Sequence, residues 1–285
     1  MPTAKLDDRR VRLSPARGRP ARRWATIAGV SWRAELGQRS RPVNTAIRLT
    51  MQLFVVACFW RGFYQASGGA QSAAATQTVS YAVLAVLVTQ TGGIDRMFSR
   101  DSIVQHLQRG TILYWLVRPI PPRRYYLMRA IGDRAYGLAW GTLGYVVCLQ
   151  IGVVAVPAGP AAAVVGFGSF VLGCVTLVYL NQVLDLVCFW TMLNTNALNI
   201  YQFVMNLMSG AIAPLWFFPD WFRAISAVLP FQNILNTPLS VYVGRIPVRA
   251  AVPLIGIQLL WILLLVLLTR LMWRRAASST AIEGG

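Results

Sequence analysis

Acidic and imidazole side chains are what this sequence has least of. Its 285 residues include 9 Asp and Glu against 27 Lys and Arg, and a single histidine, His106. Acid–base and metal chemistry draw on convergent carboxylates and imidazoles. One histidine builds neither a His-based metal site nor a catalytic triad, and His106 reads as a solvated or capping side chain. No metal site is expected. An integral membrane lipid or glycan transferase needs such groups inside the apolar segments. So does a proton-coupled carrier, and Asp185 is the one acid placed to serve it. Both stand as alternatives.

Other absences narrow the field further. Cys58, Cys148, Cys174 and Cys188 lie in apolar stretches with no metal-ligand spacing, and they do not resemble a secreted disulfide framework. No G-x-x-x-x-G-K-S/T sequence occurs, so ATP is not held by that phosphate loop. The alternating short strands of a membrane barrel are also missing.

What the chain has is apolar length. Hydrophobic residues make up 56% of it, and its mean hydropathy is +0.52. No charge lies between Arg61 and Asp95, Arg134 and Asp185, Asp185 and Asp220, or Arg249 and Arg270. About 20 apolar residues cross a bilayer as a helix. The expected fold is therefore an all-α membrane protein with six transmembrane helices. They are placed near 46–64, 77–93, 135–156, 162–188, 197–214 and 251–272. Residues 1–23 form an Arg- and Pro-rich tail with the composition of disorder. An amphipathic helix at 24–43 is expected in the membrane interface, with Trp24, Ile27, Ala28, Trp32 and Leu36 on one face. The membrane domain spans 24–275, and 276–285 is a second tail.

The net charge of +18 fits a nucleic-acid binder, but its distribution fits a membrane protein better. Cytoplasmic loops collect Lys and Arg. With six crossings, 23 of the 27 basic residues fall on one side and only Arg61, Arg223, Arg245 and Arg249 on the other. This places both termini in the cytoplasm, with no nucleic-acid partner.

Residues 189–245 break the pattern. Pro214, Pro219, Pro230 and Pro238 interrupt an apolar, aromatic stretch at intervals of 5, 11 and 8 residues. Proline removes a backbone donor and stops helices. In lipid, irregular backbone survives only inside protein or beside water. A re-entrant helical hairpin at 211–245 is expected on the outer side, between the fifth and sixth crossings. Phe217, Phe218, Trp221 and Phe222 cluster there, as an aromatic belt or as a plug.

Polar positions inside apolar segments are costly and are functional candidates. Gln52 lies in the first crossing. Asn199, Gln202 and Asn206 share one face of the fifth. They line a substrate cavity or bond to neighbouring helices. Gly137, Gly141 and Gly144, and Gly166, Gly168 and Gly173, allow close packing in the third and fourth crossings.

The polar segment 95–134 is expected to hold a helix over 102–116 with Asp101 as its cap. Pro119 stops that helix and Pro121 and Pro122 make a stiff corner. A second basic helix follows over 123–134. Leu113, Leu116 and Val117 expose apolar surface on this basic loop, either to anionic lipid or to a cytoplasmic partner.

Gly110, Leu116, Arg118 and Pro119 resemble the cytoplasmic loop of ABC-2 type exporter permeases. Phe189, Trp190, Gly210, Pro214, Phe218, Pro219, Trp221, Pro230, Phe231, Pro238 and Gly244 are similar, in order, to one ABC-2 permease family. That family contains many bacterial exporters of drugs, antibiotics and other amphiphiles. The resemblance covers residues 25–275. It implies a plasma-membrane permease paired with a second, identical or homologous permease and with two copies of a separate ABC ATPase subunit. No cofactor is then expected in this chain; ATP and Mg belong to the partner. Gly110, Leu113, Leu116, Arg118 and Pro119 would couple to the ATPase. Gln52, Asn199, Gln202 and Asn206 would face the cavity. Pro214, Phe218, Pro219, Trp221 and Pro230 would form the outer gate.

Overall fold

The computed structural model describes residues 40–69, 72–92, 122–191 and 195–282. Among them the chain forms helices and no strand. The long helices are α1 (Ser40–Ala66), α2 (Ala73–Gly92), α3 (Pro122–Gln150), α4 (Pro160–Thr191) and α8 (Val248–Ile282). Between α4 and α8 lie α5 (Thr195–Ser209), α6 (Asp220–Val228) and α7 (Asn236–Tyr242). Two 3-10 turns, Leu215–Phe217 and Pro230–Asn233, join them.

Several boundaries differ from the expectations above; α3 and α5 end at Gln150 and Ser209, short of 156 and 214. Residues 40–43, assigned to the interfacial helix, open α1 instead, and Pro42 sits in the first turn, where no intrahelical donor is lost. The rest of that helix, the tail at 1–23 and the loop at 93–121 lie outside the described residues. Residues 122–134 and the third crossing form one continuous helix, α3, with Pro122 as its first residue. At the other end, the apolar span closes at Arg274 and Arg275, but the helix itself does not end there. Arg and Ala are good helix formers, and α8 continues to Ile282 through the segment read as a tail.

By length and composition, three of the six expected crossings qualify among the described residues: Pro42–Ala66, Pro160–Val187 and Val248–Arg275. In α2 the apolar part is the shorter Ala73–Thr89. Exposed apolar stripes mark the sides that face lipid or another subunit. Met51, Phe54 and Val55 form one on α1, and Leu260, Leu263, Leu264, Leu267 and Leu271 another on α8. Contiguous apolar surface on this scale requires a nonaqueous neighbour.

A helix apolar on every face belongs in the centre. In α2, every residue from Thr78 to Ala85 is buried, between α1 and α3. On the other side α4 packs along α8. The short helix α7 lies against α4 and also touches α2 and α8, with Thr237 to Val241 all buried. The second half of the proline-broken segment is thus among the best-buried parts of the molecule.

Missing side chains on α4 make this possible. A Cβ at Gly173 would stand 2.8 and 2.9 Å from the carbonyl oxygens of Asn233 and Ile234, and one at Gly166 would stand 3.3 Å from that of Pro238. These glycines therefore admit the broken segment, where close approach of another crossing was expected. Gly168 points into open space. Gly173→Ala is expected to destabilise most, Gly166→Ala less, and Gly168→Ala not at all, since alanine gains about 1 kcal/mol in a helix interior. Melting temperatures of the detergent-solubilised chain check the order. Equal effects at 168 and 173 would contradict the packing.

Candidate functional site

The site begins where α5 ends. Its 15 residues rise only about 22 Å, short of a hydrocarbon core of about 30 Å. The backbone of Ala211 donates to the Asn206 carbonyl at 3.0 Å, and Gly210 takes φ +82°. This is a glycine-terminated helix end, which satisfies carbonyls that lipid would leave unpaired. The chain then turns back through Pro214 and Pro219 into its short elements.

Tyr81 of α2 holds that turn. Its side chain is fully buried, and its hydroxyl lies 3.2 Å from the Gly210 carbonyl oxygen and 3.4 Å from Asn236 Oδ1. Asn236 Oδ1 also accepts from the Ser240 hydroxyl at 3.4 Å. The Tyr81 ring meets Trp216 edge-on at 4.8 Å, and the Arg245 guanidinium stands 5.5 Å from the Trp216 ring. One side chain on the central helix thus fastens the end of α5, the first 3-10 turn and the start of α7.

A second polar link joins α4, α8 and the break. Gln258 on α8 is fully buried. Its amide nitrogen donates to the Asn233 carbonyl and to the Ser169 hydroxyl, both at 2.9 Å, and the Ser169 hydroxyl lies 3.1 Å from its amide oxygen. Burying an amide without partners costs several kcal/mol, so this geometry selects one seating of α8 against α4.

The candidate gate residues separate into two environments. Pro214 and Pro230 are buried, Phe218 is half-buried, and Pro219 and Trp221 are exposed, Trp221 by 65%. Phe218 stacks on Phe222 at 4.7 Å, and Phe217 packs 4.9 Å from Trp60 of α1. Arg223 pairs with Asp220 on the exposed face of α6. The aromatic cluster therefore includes α1, through Trp60 and Phe63.

The candidate cavity residues are less unified. Gln202 donates to Asn206 at 3.3 Å along α5 itself, while Asn199 and Gln52 are exposed. Beside them Ile200 and Phe203 are exposed apolar side chains. Asp185 is buried at 4% exposure on α4. Gly110, Leu113, Leu116, Arg118 and Pro119 lie outside the described residues.

Sequence reasoning passed over Tyr81, Ser169 and Gln258. The rule that marked Gln52 would have marked Gln258, which sits in an uncharged run from 250 to 269. Tyr81 carries no such signal, because a tyrosine in an apolar helix reads as one more aromatic.

Among the described residues, the polar links made by Tyr81 and Gln258 fasten α2, α4, α7 and α8 to the broken segment. No curated protein and no solved structure matches the chain. The model of one family, described as ABC-2 family transporter protein, matches residues 46–284. That span contains every described helix from α2 to α8 and most of α1, together with the whole broken segment, and the chain belongs to the ABC-2 family of transporter proteins, as a permease component and not a catalytic enzyme.

Proposed function

We propose that this chain is the membrane subunit of an ATP-driven exporter of an amphiphilic substrate, such as a drug, antibiotic, lipid or peptide. It works with a second permease, identical or homologous, and with two ABC ATPase subunits that bind ATP and Mg. Both termini face the cytoplasm of a bacterial cell, and the broken segment opens outward. The observation that carries this reading is the short α5. It stops near Gly210, before a full crossing is complete, and passes directly into buried short helices tied to α2, α4 and α8.

The proposed coupling surface is the loop around Gly110, Leu113, Leu116, Arg118 and Pro119. Motion delivered there passes along α5 and its neighbours to the break. Pro219 and Trp221 are the exposed lip of the gate, with Phe218 behind them, and Pro214 and Pro230 are its buried hinges. Asn199 and Gln52 face outward from their helices, toward the place a second permease would occupy, and Gln202 and Asn206 set the polar face of α5.

Purification in mild detergent is the direct test. Recovery of a bound ATPase in equal copies with the permease is the expected result. If no ATPase comes with it and transport follows a proton gradient, the carrier alternative, with Asp185 as its acid, takes over. Orientation has its own test. Single cysteines replacing Ala66 and Asp220 should react with an impermeant maleimide added outside intact cells, and one replacing Tyr126 should not. The reverse pattern would overturn the assignment of sides.

A further inference from the structure

A cavity of about 420 Å³ lies between α2, α3, α4 and α7, away from the polar face of α5. That volume falls within the roughly 300–1,000 Å³ typical of small-molecule sites. Its walls are Leu84 and Leu87 of α2, Leu138 of α3, Phe167 and Phe170 of α4, and Leu239 of α7. Tyr145 and Tyr242 stand at one end, beside Pro157 of the turn between α3 and α4. Their hydroxyls bond to each other at 2.8 Å, and that of Tyr242 lies 3.1 Å from the Ala155 carbonyl oxygen. The polar atoms at this end are already partnered. A water needs two to four polar partners, so nothing here favours water over hydrocarbon.

The slot's lining runs from Leu138 to Tyr145 on α3 and from Ala163 to Phe170 on α4, about 10 Å of helical rise along each. Its mouth opens sideways. Phe167, 68% exposed, stands between Val164 and Val171, also exposed, at helical spacing on α4. That stripe belongs to a helix long and apolar enough to cross a bilayer. The cavity is therefore continuous with a lipid-facing surface.

We infer that this slot holds one acyl chain of a bilayer phospholipid from the leaflet at the 151–159 turn, with the headgroup above the Tyr145–Tyr242 pair. Its occupant rests against α7 beside Gly166, which lines the same slot with Pro238 and Leu239. The inference rests on the membrane reading of the chain. It holds for either direction of transport and any cargo.

The test uses the full-length chain in nanodiscs of phosphatidylcholine carrying a diazirine midway along one acyl chain. After irradiation, adducts are mapped by mass spectrometry. Peptides covering 138–145 and 163–170 should be labelled above the α8 stripe at Leu260, Leu263 and Leu267, which measures ordinary lipid contact. Thr142→Trp and Ala163→Phe, which fill the slot, should bring labelling down to the α8 level while labelling of α8 and the melting temperature hold. Equal labelling of slot and stripe in the unmodified chain overturns the inference, and so does undiminished labelling in a filled, folded variant. Absence of labelling in the slot while the α8 stripe is labelled also overturns it, since the groove would then be covered by a protein contact.

Discussion

Transport into inverted vesicles is expected to fall about tenfold or more when Leu116 and Arg118 are both replaced by alanine, while ATP hydrolysis by the bound partner continues. The two positions differ in chemistry but share a place. Leu116 offers an apolar knob at the end of the expected helix, and Arg118 a charge just before Pro119 halts it. A rigid helix end that meets the ATPase in two ways can transmit a displacement. One that has lost both contacts leaves the ATPase free to cycle without moving α5. Hydrolysis needs only the partner's own phosphate-binding residues, so it should survive. Membrane insertion and yield serve as controls. Unchanged transport would remove this loop as the docking element. Loss of hydrolysis and transport together would mean that the loop activates the ATPase, so that the role is assembly and not transmission.

The second large effect is expected at Tyr81 and Gly210. Tyr81→Ala empties a fully buried aromatic site and should cost about 3–5 kcal/mol. Tyr81→Phe keeps the volume and removes only the hydroxyl, leaving the Gly210 carbonyl without that donor at a cost of about 1–3 kcal/mol. Gly210→Ala meets two obstacles. A φ of +82° costs an L-residue about 1–2 kcal/mol, and the new Cβ would stand 2.4 Å from the Tyr81 hydroxyl. The pair should therefore couple. Tyr81→Phe with Gly210→Ala relieves the clash, so the double variant should lose less than the sum of the singles, by about 0.5–3 kcal/mol. Denaturation in detergent measures the cycle. Strict additivity would mean that Tyr81 does not hold the end of α5.

Much of the architecture was legible because hydropathy and proline act locally. Long uncharged runs place the apolar spans of α1, α4 and α8 within a few residues, though not the ends of the helices that carry them. Pro214, Pro219 and Pro230 fall at breaks between helices, whereas Pro238, also expected to interrupt, lies in the first turn of α7, and Pro253 lies inside α8. Proline at a break shows where a helix stops but not what the next segment packs against. Within the hairpin expected at 211–245, residues 230–243 form a buried wedge. What determines this is a pair of glycines on another helix, seven residues apart. Gly166 and Gly173 were read correctly as sites of close approach, but their partner lies some 70 residues downstream. Tyr81, 129 residues before Gly210, was illegible for the same reason. Of the candidate cavity residues, Gln202 and Asn206 share a face as the spacing required, although their bond runs along the helix.

The amide of Gln258 also bears on how the chain is made. Crossings enter a membrane in the order in which they are synthesised. The wedge at 236–242 is complete before α8 exists, and the Asn233 carbonyl and the Ser169 hydroxyl then lack the amide that joins them. Until α8 arrives, α4 and α7 are seated on each other with polar groups facing an unoccupied flank. A helix made later than its partners is thus the one that closes this core, and a chain cut short before residue 258 carries an unsatisfied surface for quality control to find.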